Sequence, residues 1–236
     1  MPGAEATPPY YIVPPCDEPV TTLYRDNDVL VVHKPPFLLS VPGRGPENRD
    51  SVFARLQQED ADVRLIHRLD LDTSGIMVFA RNAAAQKAIS RAFQYRQVGK
   101  RYDAVVDGQV KRDQGDIDLP LIADWPNRPR QKVCHQQGKH ALTRYQVVTR
   151  HPALNCTHLA LSPHTGRSHQ LRIHCREIGH AILGCDLYAP EAVLARSKRL
   201  LLHASWLAFN HPRTGLWQAF HSPAPVQDWL DNLDSP

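Results

Sequence analysis

Residues 29–33, Val-Leu-Val-Val-His, form an unbroken apolar run that stops at Lys34-Pro35-Pro36 and predicts a buried strand, with structure starting near Thr22. Ser51 reads as the N-cap of a short helix over SVFARLQQED. Residues 75–81 are again apolar and predict a strand. Asn82 then caps a helix whose Ala85, Ala88, Ile89, Ala92 and Phe93 recur at helical spacing, an amphipathic stripe. In KRYDAVVDG, Tyr102, Ala104 and Val106 alternate with Asp103 and Val105, the period of a strand. LTRYQVVTR and CTHLALS predict two more. Residues 168–178 place Leu171, Cys175 and Ile178 on one helical face, with Gly179 as the stop. A short helix near 190–198, strands at 200–209 and 216–221, and a helix over 226–233 complete the pattern.

Strands outnumber helices here and do not alternate regularly with them. The pattern therefore predicts an α+β fold rather than a doubly wound sheet. The first 19 residues hold six prolines and almost no apolar pattern, so 1–19 reads as a disordered or loosely attached leader ahead of one domain over 20–236. No apolar stretch approaches the roughly 20 residues of a membrane span, and no secretory signal opens the chain. The five cysteines are scattered without a C-x-x-C pair, which fits free thiols in a reducing cytoplasm. Thirteen histidines invite a metal, yet His164, His169 and His174 recur every five residues, a spacing that does not stack on one helical face, and no H-E-x-x-H occurs. No metal site is expected.

The net charge of +4 is modest; its distribution says more. WPNRPRQKVCHQQGKHALTR carries Arg128, Arg130, Lys132, Lys139 and Arg144 with no acid. SPHTGRSHQLRIHCR carries Arg167, Arg172 and Arg176, again with none. Two acid-free basic stretches suit a polyanion, although solvated loops facing acids elsewhere would read the same.

One stretch breaks the apolar pattern. In LIHRLDLDTSG, the charged His67-Arg68-Leu69-Asp70 sits inside a frame of Leu65, Ile66, Leu69 and Leu71. Charges in such a frame need partners. Thr73-Ser74-Gly75 reads as the turn that follows.

HRLDLDTSG matches the H-R-L-D-x-x-T-S-G signature of the RluA family of RNA pseudouridine synthases. KRYDAVVDG resembles that family's tyrosine-bearing strand, and TGRSHQLRIHCREIGHAILGCDLYA its third motif. The order and spacing agree, and the resemblance runs over about 23–223. LIADWPNRPRQKV, LLSVPGR and the lack of an N-terminal S4 domain are most similar to stand-alone bacterial members, which act on a tRNA anticodon loop and on 23S ribosomal RNA.

The resemblance implies the pseudouridine synthase fold: an α+β domain on a mixed, largely antiparallel sheet with a central cleft. It implies an isomerase that breaks the N1 glycosidic bond of a uridine, turns the base and rejoins it through C5. Nothing is oxidised and no group is donated, so neither cofactor nor metal is required. RNA is the expected partner, with no membrane, and the protein is expected to be a cytoplasmic monomer.

By the same resemblance Asp70 is the catalytic carboxylate, acting on the sugar as in glycoside chemistry. Arg172 is the cation expected to pair with it and hold it ionised. Tyr102 offers a ring to stack on uracil and a phenol that is a reluctant proton acceptor. The target base must be extruded from its loop, and Arg68 is placed to enter the vacated stack. Arg128, Arg130, Lys132 and Arg167 would grip phosphates. His67, Thr73 and His169 read as positioning residues. Taken singly, Asp70 could merely cap a turn, Tyr102 could be a half-buried strand tyrosine, and Arg172 a helix-surface charge.

Phe37, Ala181 and Cys185 stand where the family has glycine, proline and aspartate, with Asp186 one residue late. These departures motivate an alternative, an RNA-binding or ribosome-assembly factor that has lost catalysis. A phosphotransferase, suggested by the likeness of His67-Arg68-Leu69-Asp70 to a kinase loop, lacks the Gly-rich loop and D-F-G that such chemistry needs.

Overall fold

A computed structural model describes residues 11–233. The first half of the chain forms β1 (Thr21–Arg25), β2 (Val29–Lys34), α1 (Val52–Glu59), β3 (Arg64–Leu65), β4 (Ser74–Ala80), α2 (Ala83–Gln94) and β5 (Gly99–Asp107). Next come β6 (Gln114–Asp118), β7 (Leu121–Ala123), β8 (Gln131–Val133), β9 (Leu142–His151) and β10 (Cys156–Pro163). The chain closes with α3 (Gln170–Glu177), α4 (Glu191–Leu194), β11 (Leu202–Asn210), β12 (Trp217–His221) and α5 (Val226–Asp231). Both predicted caps form: Ser51 Oγ accepts from the Ala54 N–H at 3.1 Å and Asn82 Oδ1 from that of Ala85 at 2.8 Å.

The main sheet runs β1-β2-β4-β11-β5-β10-β9-β6. Its pairs are antiparallel except β4 with β11, so the sheet is mixed and largely antiparallel, as expected. One edge of β11 serves two partners: His203 and Ala204 face β4, while 206–210 pair with β12. β2 and β4 are buried on both faces, which is why their sequences are continuous rather than alternating. Leu30, Val32, Met77 and Phe79 pack beneath α1; Val29, Val31, Ile76 and Val78 pack with Ile89 of α2 and Phe209. A second core joins Ala104, Leu159 and Leu161 to Leu171, Ile173 and Leu183 behind α3. Among the described residues no helix is long and apolar enough to cross a membrane.

Several boundaries differ from the sequence reading. The turn after Asp70 is made by Leu71 and Asp72, and Ser74-Gly75 already belong to β4. Gly75 lies at φ +116°, and a Cβ there would sit 2.3 Å from the Ala204 carbonyl oxygen, so the parallel β4–β11 approach requires glycine. α3 starts at Gln170, because His169 is left-handed at φ +55° and cannot join it. The helix expected over 190–198 is a single turn. β6, β7 and β8 carry too little apolar periodicity to be seen in the sequence. Of the expected leader, 1–10 lie outside the described residues; 11–19 run without helix or strand, tied down by Asn48 and Arg55.

Phe37 keeps the glycine geometry of the turn in which it replaces glycine, at φ +61° with 40% of its surface exposed. A left-handed bulky residue costs about 1–2 kcal/mol, while glycine costs about 0.5–1 kcal/mol in unfolded-chain entropy. Phe37→Gly is therefore expected to raise stability by about 0.5–1 kcal/mol. Urea unfolding checks it; a loss of stability would show that the ring earns more by packing than the strain removes.

Candidate active site

The sheet register brings the first two motifs together, and β10, whose Leu161 pairs with Tyr102, leads into the third. Gly75 on β4 lies beside Ala204 on β11, and Ala204 beside Tyr102 on β5. Two strand spacings, about 10 Å, thus separate the start of β4 from Tyr102. The segment entering β4 is extended and pinned from several sides. Ser40 Oγ donates to the Leu69 carbonyl at 2.7 Å and accepts its N–H at 3.1 Å. His67 Nε2 accepts the Val78 N–H at 3.0 Å, and burial pushes this imidazole down to about 3, so it is neutral with its proton on Nδ1. The Asp70 carbonyl accepts from the Thr73 N–H at 3.2 Å, closing the turn.

Lys34, fully buried, completes the support. Its ammonium donates to the carbonyls of Pro35 and Leu71, both at 2.8 Å, and desolvation pushes it down to about 7. At the end of a strand, before two prolines, nothing in the sequence marked it as buried.

A cavity of about 150 Å³ opens at the centre of these elements, room for one six-membered ring. Arg68, Asp70, Thr73, Tyr102, Arg167, His169 and Arg172 all line it. Asp70 is the one carboxylate on its wall among the described residues, against Arg68, Lys100, Arg167 and Arg172. Arg68 is exposed at the mouth. Tyr102 is half-buried, and burial together with the Asp70 carboxylate raises its phenol well above the usual range. The proton-acceptor role is thus set against a hydroxyl that stays protonated.

The ion pair expected between Arg172 and Asp70 is not formed. Arg172, 2% exposed, is bonded through Nη2 to Asp186, with Asp72 3.8 Å from Nη1, and its Nε–H donates to Cys185 Sγ at 3.3 Å. Asp70 acts on it only through space. The reason is geometric: Asp186, one residue after Cys185, takes the guanidinium instead. Burial opposes the charge on Arg172, yet Cys185, Asp186 and Asp70 outweigh it and hold the group cationic. Asp72 is raised by desolvation and by Asp186 while Arg172 and Lys34 pull it down.

Tyr188 links this network to the β7–β8 hairpin. Its hydroxyl accepts the Gln131 N–H at 2.9 Å and meets His169 Nδ1 at 2.5 Å, and Arg172 lies 5.4 Å from its ring centre. The hairpin residues Arg128, Arg130 and Lys132 lie outside the cavity. Arg128 sits 4.0 Å over the Trp125 ring, and Lys132 pairs with Asp124 at 3.1 Å, an acid just before the stretch that carries none. Elsewhere, Asp26, Asp28 and His211 converge, but Arg213, Asn82, Tyr24 and His211 itself already occupy the carboxylates.

Residues 28–177 match the family model described as RNA pseudouridylate synthase. The chain is 49% identical over 205 residues to the dual-specificity RNA pseudouridine synthase RluA of Vibrio vulnificus strain CMCP6, covering 86% of this chain and 82% of that protein. It is 46% identical over 211 residues to the protein of the same name from Escherichia coli strain K12, covering 89% and 96%. Among solved structures, human RNA Pseudouridylate Synthase Domain Containing 1 superposes with a TM-score of 0.78 at 26% identity, over 94% of this chain and 91% of that one.

Proposed function

The chain belongs to the RNA pseudouridylate synthase family and is an isomerase acting on RNA uridine; on that premise we propose that Asp70 is the carboxylate that reacts at the flipped nucleotide. The observation that carries this is the cavity itself: ring-sized, with a single carboxylate among the described residues, cations around it and a tyrosine of β5 on its wall.

Opening the N1 bond leaves positive charge on the ribose, and the Asp70 carboxylate is the anion beside it, as nucleophile or as electrostatic partner. The uracil, stacked on Tyr102 within walls that admit one ring, turns without escaping and rejoins the sugar through C5; the C5 proton is then lost and N1 gains one, so the product is an isomer. The Tyr102 hydroxyl, held protonated, donates a hydrogen bond to the base. Arg172 keeps positive potential behind Asp70 without neutralising it by direct contact. Arg68 at the mouth fills the gap left by the extruded base. Arg167 at the rim and Arg128, Arg130 and Lys132 on the hairpin hold the backbone. His67, Thr73 and His169 fix the loop and the start of α3.

The relatives' dual specificity supports two substrates here: a tRNA anticodon-loop uridine and a 23S ribosomal RNA uridine. The protein works as a cytoplasmic monomer, one domain over 20–236, with its cysteines free. Asp186 fills the place left by Cys185, which removes the motive for a catalytically silent reading. Incubating the purified chain with transcribed tRNA and 23S fragments, with no metal or nucleotide added, is expected to yield pseudouridine in both. RNA that is bound but unmodified would overturn the reaction; modification of one alone would overturn the dual target.

A further inference from the structure

The cavity at Asp70 does not end at its rim. Lys100 lines it and also two chambers of about 470 and 460 Å³ that run on from it. The nearer chamber lies between Phe93, Arg96, His164 and Arg167; the farther one extends from Arg96 to Trp206 and Trp217. Among the described residues no aspartate or glutamate lines either chamber. Neither Arg96 nor Lys100 has an ion-pair partner there; the one bond of the Lys100 ammonium is to the Thr165 carbonyl at 3.4 Å. Two cations share a concave surface with nothing opposite them.

The far end is aromatic. Trp206 pairs with His221 and Asn210 with Trp217, so both tryptophans fall on one sheet face with Ala208 and Ala219 between them. Gly99 on β5 makes the room, since a Cβ there would stand 2.5 Å from the Trp206 ring. Trp217 is 56% exposed, a large indole left on the surface at the end of a basic trough.

We propose that this trough holds the single-stranded RNA next to the flipped uridine, with phosphates over Arg96, Lys100 and Arg167 and a base stacked on Trp217. It rests on reading the Asp70 cavity as the uridine site, from which the strand must emerge. Unpaired cations in a concavity match phosphates, and an exposed indole matches the free face of an unpaired base, which a duplex does not present. Burial pushes the Lys100 ammonium down to about 8, and a phosphate beside it would raise it again.

The test measures affinity for a synthetic RNA stem–loop with a uridine in its loop, in full-length Asp70→Asn protein so that nothing turns over. Adding Trp217→Ala is expected to weaken binding about tenfold, and Trp217→Phe to restore most of it. Adding Arg96→Ala is expected to reduce the slope of log affinity against log salt by about 0.7. Unchanged affinity in the Trp217→Ala protein, or an unchanged salt slope with Arg96→Ala, overturns the proposal. Failure of the Asp70 reading shows separately, as pseudouridine made by Asp70→Asn alone.

Discussion

Asp70→Asn is expected to lower pseudouridine formation by about 10⁴-fold or more while leaving RNA affinity nearly unchanged. The asymmetry follows from the cavity. Affinity comes from cations spread over the rim, the hairpin and the exposed Arg68, none of which bonds to Asp70. Asparagine matches the shape of the residue and keeps the turn, whose closing bond runs from the Thr73 N–H to a backbone carbonyl. What it removes is the one negative charge on the wall among the described residues. Release of the C5 hydrogen from labelled RNA reads the chemistry, and filter binding reads the affinity. Turnover near the wild-type rate would remove Asp70 from the reaction; lost affinity with intact turnover would make it a binding residue.

Arg172→Met is expected to cost about 3 kcal/mol of stability and to abolish activity as well. Breaking a buried ion pair by deleting one partner costs about 3–5 kcal/mol, because the other charge is left without compensation. The lower end applies here: the Asp186 side chain is 55% exposed and can rehydrate, whereas that of Asp72 is only 20% exposed and cannot do so fully. Arg172→Lys keeps the charge but cannot reach Asp186, Asp72 and Cys185 with one fork, so it should recover only part of both losses. Urea unfolding monitored by tryptophan fluorescence measures the first effect. A stability loss below about 1 kcal/mol would mean that the network is a solvated surface pair.

Much of this was written in the sequence because the signals are local. The helical stripe of α2, its Asn82 cap, and the apolar runs of β2 and β4 depend on neighbours a few residues apart. Motifs name Asp70, Tyr102 and Arg172, and all three line one cavity. What stayed hidden depends on contacts far apart in sequence. Lys34 looks like the exposed end of a strand and becomes buried only because the Leu71 carbonyl, 37 residues on, arrives to receive it. Arg172 was assigned to Asp70 since a motif says which groups matter but not which oxygen is nearest. The Cys185 departure looked like a defect until Asp186 was placed on the same guanidinium. The tryptophan-ended trough lay beyond reach for the same reason: β5, β11 and β12 build it together, and no one of them shows it.

A uridine leaves its RNA and reacts in the cavity lined by Asp70 ahead of β4, Tyr102 on β5 and Arg172 on α3. A crystal structure of the Asp70→Asn protein bound to a uridine-containing stem–loop tests it most directly. The target base is expected outside its stack, with its ring against Tyr102, its ribose beside residue 70 and Arg68 in the vacated space. A target uridine that remains stacked in the loop, or that docks on the hairpin with the cavity empty, would contradict it.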